Sequence, residues 1–261
     1  MFDAEGKKLW EGHPADIKAY QIKGFLKANK SRVSKKNMFK VNAYAKEGVH
    51  IERSPIKDFS ITKLQPEAVN GDLQIIKHAK YLELNGNLQD ILAYALNVYS
   101  EQIKIPSNLN SPYVVKIKLD ALSGMNKFEM ILDALSLVQT NSEVDGEALF
   151  FDIENPQFWN TNQIDWGKET PHFLIGDSEI QADNVSLKEV GYRLANLLKI
   201  PVVINASNYT SELHDWQIHY KYFDLMVSNM KDSYGIAVTK KLTSYSQYEI
   251  KKGRSERRAS N

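Results

Sequence analysis

Three observations predict an α+β chain built from two related βαββαβ-type halves packed together, preceded by an N-terminal hairpin and a basic linker. The first is a capped helix that feeds a strand. Ser186 stands three residues before Glu189, the spacing at which each side chain can satisfy the other's orphan N–H. Leu187, Val190, Leu194 and Leu198 then repeat at helical spacing, and Pro201 stops the helix ahead of the β-branched Val202, Val203 and Ile204. The second observation is that the same order of elements lies about a hundred residues upstream, around Asn87. The third is composition: 261 residues, 43% hydrophobic and 25% charged, suit a soluble chain with a self-stabilising core.

Composition also narrows the function classes. A net charge of +1 gives no global field for nucleic acid or membrane. No run of eighteen apolar residues is long enough to span a bilayer. There is no cysteine, so disulfides, thiolate metal sites and thiol chemistry are excluded within these residues. The first residues, Met-Phe-Asp-Ala-Glu-Gly, carry neither a basic n-region nor an apolar h-region. The expectation is therefore a cytoplasmic protein or a start partway into a longer precursor.

Taken in order, residues 1–20 read as a strand, a tight turn at Glu5-Gly6 and a second strand, Gly6 supplying the positive φ of the turn. Residues 21–57 are the basic linker, with Lys23, Lys27, Lys30, Arg32, Lys35, Lys36, Lys40 and Lys46. Phe25, Phe39 and Tyr44 do not alternate as a stacking platform, so this reads as a solvated linker and exposed helix before a nucleic-acid patch. The first α+β repeat is expected over residues 58–153. Residues 58–64 alternate as a half-buried strand, and residues 73–76 and 81–84 add short strands. Asn87 caps a helix lined by Leu88, Ile91, Leu92, Ala95, Leu96 and Tyr99, followed by a strand at 103–105. Residues 113–119 form a strand, residues 127–137 a helix with Phe128, Ile131, Leu132 and Leu135 inward, and residues 147–153 a closing strand.

Residues 154–171, with two prolines, Trp159 and Trp166, read as an aromatic connector. The second repeat is expected over 172–251. A strand at 178–182 leads into the capped helix, whose charged face of Lys188, Glu189 and Arg193 reads as solvated. Residues 216–222 alternate as a strand, and Phe223, Met226, Val227 and Met230 line a helix matching Phe128, Ile131, Leu132 and Leu135. Residues 235–239 and 245–250 read as a terminal hairpin, and residues 252–261 as a disordered tail.

Several of these patterns resemble known families. Phe2-Asp-Ala-Glu-Gly-Lys-Lys-Leu-Trp10 is similar to the last hairpin of TlpA/ResA-like thioredoxin-like proteins. From Asp58 onward the chain resembles the soil-associated bacterial family DUF3738, through Phe59-Ser-Ile-Thr-Lys63, through Tyr81-Leu-Glu-Leu-Asn-Gly-Asn-Leu-Gln-Asp-Ile-Leu-Ala-Tyr94, through residues 187–203 and through residues 223–238. It departs from that family at Asn205-Ala-Ser-Asn-Tyr-Thr-Ser211 and between residues 138 and 171. Each half is also similar in outline to the small docking modules at the N-termini of secretins and TonB-dependent receptors. The resemblance implies a periplasmic or envelope location, a position behind a thiol–disulfide oxidoreductase domain, and a protein or peptide partner.

No residue is expected to be catalytic, cofactor-binding or metal-binding. His214 and His219, with Glu212, Asp215 and Asp224 nearby, are the closest histidine pair, but a five-residue step along a strand puts them on opposite faces. Zinc needs three or four convergent ligands. His13, His50, His78 and His172 are isolated, and the carboxylate pairs Asp177/Glu179 and Glu143/Asp145 read as solvated strand ends. Trp159, Trp166, Tyr209, Trp216, Tyr220 and Tyr222 form either a binding surface or, the preferred reading, core packing. No nucleophile elbow, phosphate loop or dinucleotide fingerprint is present. The leading expectation is a docking or substrate-recruitment module that is itself non-catalytic. The alternatives are a hydrolase-type enzyme with its site between the halves, and an anion or nucleic-acid binder using residues 23–46.

Overall fold

The computed structural model describes residues 58–65, 72–78, 80–119, 126–160, 172–205 and 209–253. The hairpin of residues 1–20, the basic segment, Trp166 and most of the tail lie outside them. Among the described residues the α+β class holds, with four α-helices and three sheets. The first half runs β1 (Phe59–Lys63), β2 (Gln74–Lys77), β3 (Tyr81–Asn87), α1 (Leu88–Leu96), β4 (Ile103–Lys104), β5 (Pro112–Lys118), α2 (Lys127–Leu135) and β6 (Leu137–Ile153). The second runs β7 (His172–Ile175), β8 (Ile180–Ser186), α3 (Leu187–Leu198), β9 (Val202–Asn205), β10 (Leu213–Ile218), α4 (Phe223–Tyr234) and β11 (Ile236–Lys252). The recurring unit is therefore ββαββαβ, one strand longer than the pattern read from the sequence.

Recurrence extends to the joints. Asn87 and Ser186 each hold the extended residue through which a strand passes straight into a helix. Ser136 and Gly235 are each a single left-handed residue, φ 51 and φ 60, that turns a helix straight into a long strand. In both cases the two positions are 99 residues apart. That spacing pairs Phe128 with Val227, and it displaces the match of Phe128 to Phe223. Phe223 is exposed at the start of α4, where Met226, Met230 and Tyr234 turn inward instead. Glycine is required at 235 twice over: its φ is left-handed, and a Cβ there would lie 2.5 Å from the Asn155 carbonyl oxygen.

Strand pairing follows the same plan and then crosses it. In the first half β5, β3 and β2 lie side by side, with β1 added outside β5; in the second half β10, β8 and β7 take the same places. The third sheet interleaves the halves. Its centre is β6 against β11, antiparallel from Leu137↔Lys252 to Ile153↔Ile236. β9 of the second half pairs parallel with β6 of the first, and β4 of the first pairs parallel with β11 of the second. Residues 236–252 are therefore one strand, and the expected terminal hairpin does not form. Lys240-Lys-Leu-Thr-Ser244 contains no Gly, Pro, Asn or Asp to turn the chain, and β6 offers a partner of equal length. β6 begins ten residues before the strand expected at 147–153, because Gly146 is a packing position and not a turn. A Cβ there would lie 2.8 Å from the Tyr245 hydroxyl.

Two cores result. Core 1 gathers Leu82, Leu84, Leu88, Ile91, Leu92, Val115, Ile117, Phe128 and Ile131, closed by Leu137 and Ile250 from one end of the ribbon. Core 2 gathers Ile180, Leu187, Val190, Leu194, Trp216, Met226 and Met230, closed by Leu149, Phe151, Ile236 and Val238 from the other end. Neither half can complete its core without a strand that also serves its neighbour.

Candidate functional site

The middle of the ribbon is open. β9 covers the outer edge of β6 only at residues 149–152, and β4 covers that of β11 only at 248–249. Among the described residues, no strand pairs with either outer edge between those points, and apart from the Ser246 carbonyl, which accepts from Gln102 Nε2 at 2.8 Å, they present main-chain N–H and C=O groups. Acids and hydroxyls dominate the stretch: Glu143 accepts hydrogen bonds from Ser246 Oγ (2.7 Å) and Ser244 Oγ (3.4 Å), and Glu147 pairs with Lys240 Nζ at 2.8 Å. Leu242, in register with Glu147, is nevertheless 81% exposed, the most exposed large apolar side chain among the described residues. Lys241 lies 3.3 Å over the ring of Phe150 on the opposite face.

The junction between the halves is packed and charged. The Tyr94 and Tyr192 rings meet edge-on at 5.5 Å, and Tyr192, although on α3, belongs to core 1. Asn196 of α3 accepts from the Ser100 N–H (3.0 Å) and Oγ–H (2.9 Å) and donates to the Val98 carbonyl (3.3 Å). Lys127 sits 5.0 Å over Tyr94, and the Arg193 guanidinium 5.6 Å over Tyr192 and 5.0 Å over Phe173. Desolvation holds the Lys77 and Lys127 ammoniums below the ordinary lysine value, against the pull of Glu189. Burial pushes the Tyr192 phenol up to about 12 and raises Tyr94 as well. Glu189 and Arg193 therefore work at an interface, which corrects the solvated face read from the sequence; of the three, Lys188 alone is exposed.

Among the described residues the histidines do not converge. His214 shares the core side of β10 with Trp216, its Nδ1 lying 2.9 Å from the Trp159 carbonyl and its Nε2 3.3 Å from Glu212. His219 sits by Glu179 at 3.3 Å, with Gln217 reaching the same carboxylate. Among the described residues no three His, Asp or Glu side chains are grouped as metal ligands. The aromatics divide likewise. Trp159 packs edge-on to Trp216 (5.3 Å), His214 (5.2 Å) and Tyr209 (6.0 Å), and Trp216 packs on Tyr234 (4.9 Å). Trp216 Nε1 donates to the Val185 carbonyl at 2.8 Å, and Trp159, Trp216 and Tyr234 belong to core 2, whereas Tyr209 and Tyr222 are left exposed. Glu179 accepts from Gln181 and Gln217 rather than partnering Asp177.

One polar group escaped sequence reading. The alternation of Tyr81-Leu-Glu-Leu-Asn85 implies a solvated face, yet Glu83, Asn85 and Lys116 are buried there. Lys116 Nζ lies 3.7 Å and His78 Nε2 3.3 Å from Glu83 Oε2, the histidine contact being too poorly aligned for a hydrogen bond. Asn85 donates to Glu83 Oε1 at 3.1 Å and leaves its own Oδ1 unpartnered. Removing one partner of such a buried pair leaves the other charge uncompensated, whereas replacing both by apolar side chains is often neutral.

No family model, curated protein or solved structure matches the chain. No helix among the described residues is long and apolar enough to cross a membrane.

Proposed function

We propose that residues 58–253 form a docking module that takes up an extended polypeptide along the open ribbon, recruiting a partner for a thiol–disulfide oxidoreductase domain of TlpA-like type in the bacterial envelope. The single observation that carries the reading is the ribbon itself. Two unpaired edges flank an 81%-exposed leucine, in a sheet that already accepts β4 and β9 as parallel added strands at its two ends. An incoming strand beside β6 or β11 would continue a pairing the sheet already makes, with main-chain bonds supplying affinity and flanking side chains selectivity. The oxidoreductase context rests on the hairpin pattern of residues 2–10 and on the patterns shared with the soil-associated family. A hydrolytic site between the halves draws no support from the junction, which Tyr94, Tyr192 and Asn196 fill.

The test is affinity capture from an envelope fraction with the full chain and its Leu242→Lys variant. Loss of a specific partner from the variant, with its melting temperature unchanged, is the expected result. An identical partner set for both proteins would sink the ribbon as the docking element.

A further inference from the structure

The rim of core 1 holds a cavity of about 210 Å³, away from the ribbon's open middle. Leu88, Leu109, Leu135 and Leu137 line it together with the polar side chains of Asn108, Tyr113, Lys63 and Lys252. None of the residues lining it is acidic. The two lysines differ in what they already do. Lys252 Nζ donates to the Leu135 carbonyl at 2.9 Å, neutralising the C-terminal end of α2. Lys63 ends β1 in register with Tyr113, on the face that Phe59 and Ile61 turn to core 1. A cation therefore closes an otherwise apolar row, and among the described residues it has no ion-pair partner.

Size and charge together select a ligand class. An apolar cavity of about 150 Å³ takes a benzene-sized guest, and drug-sized ligands need roughly 300 Å³ or more. A cavity of 210 Å³ accepts one apolar group about as large as a phenylalanine or leucine side chain. The geometry points to a binding site for a small monocarboxylate, its apolar tail among the leucines and its carboxylate on Lys63. The site is independent of the docking reading, since no open ribbon edge lines it.

Methyl-resolved NMR titration of the full chain with hexanoate tests this, with hexylamine as the matched cation. Saturable shifts centred on Leu88, Leu109, Leu135 and Leu137 are expected, with a Kd on the order of 1 to 10 mM, as befits so small a ligand. Hexylamine should bind at least about tenfold more weakly, and Lys63→Met, which keeps the apolar stem of an exposed residue, should weaken hexanoate about five- to tenfold. Absence of saturation, equal binding of hexylamine, or unchanged affinity in Lys63→Met would each overturn the assignment.

Discussion

The two cores share a plan and differ in filling. Core 1 is mainly leucine, isoleucine and valine with Phe128, Tyr94 and Tyr192 among them, and the face behind β3 buries the Glu83–Lys116 pair; core 2 is centred on the ring cluster of Trp216, Trp159 and Tyr234. Core 1 also borrows Tyr192 from the other half, together with the ends of β6 and β11. The difference teaches that the recurrence lies in backbone joints and strand order. Side chains filling the two spaces differ while strand order and left-handed residues keep their places.

The strongest way to break this comparison is to damage one core and watch the other. Trp216→Ala should cost about 3 to 5 kcal/mol. Because β6 and β11 thread both cores, methyl signals of Leu84 and Ile131 should melt with those of Val190 and Met230 in a single transition. A core 1 transition that stays at its wild-type temperature would show that the ribbon does not couple the halves.

Next in size is alkaline stability, which sharpens the role of the borrowed tyrosine. The folded-state phenol of Tyr192 is raised to about 12, so the folded chain keeps a proton that the unfolded chain loses near pH 10. Its contribution is complete below pH 10 and is lost as pH rises toward 12, about 2 to 3 kcal/mol in all. The lowered Lys127 works in the opposite sense, recovering stability as pH rises toward the ordinary lysine value. Tyr192→Phe should therefore flatten the fall of urea midpoints between pH 10 and 12; an unchanged profile would place the tyrosine outside the junction's energetics.

Equivalent joints should respond unequally. Gly235→Ala combines a left-handed φ with a clash against Asn155 and should cost about 1 to 3 kcal/mol, whereas Ser136→Gly should be neutral or slightly stabilising, both read from chemical unfolding. Smaller still is the capping contrast. Ser186 accepts a hydrogen bond from the Glu189 N–H at 3.3 Å, whereas Asn87 makes no side-chain cap bond. Ser186→Ala should cost about 1 kcal/mol and Asn87→Ala clearly less. Equal losses would mean that the cap bond of Ser186 contributes little.

Local features were legible in the sequence where local chemistry decides them. The Ser186 cap, the Pro201 stop, the leucine stripes of α1 and α3 and the repeated order all follow from spacing. The exchange of β4 and β9 between halves was not legible, because parallel pairing leaves no mark on strands two to four residues long. The full length of β6 is not legible in its own residues, because Asn141, Asp145 and Gly146 are poor strand formers and only the matching length of β11 makes them strand. Glu83, Asn85 and Lys116 were missed because alternation shows which residues share a face, not what covers it. The open edge has no sequence signature, since it is defined by the limited reach of β4 and β9.

The docking account is tested most directly by a photo-reactive benzoylphenylalanine placed at Leu242 and, as a control on another exposed apolar position, at Leu225 of α4. Irradiation of the full chain in an envelope fraction should give a discrete adduct from position 242, with the cross-linked peptide mapped along β6 or β11, and none from 225. Adducts from 225 alone, or none from 242 under conditions where a partner is retained, would contradict it.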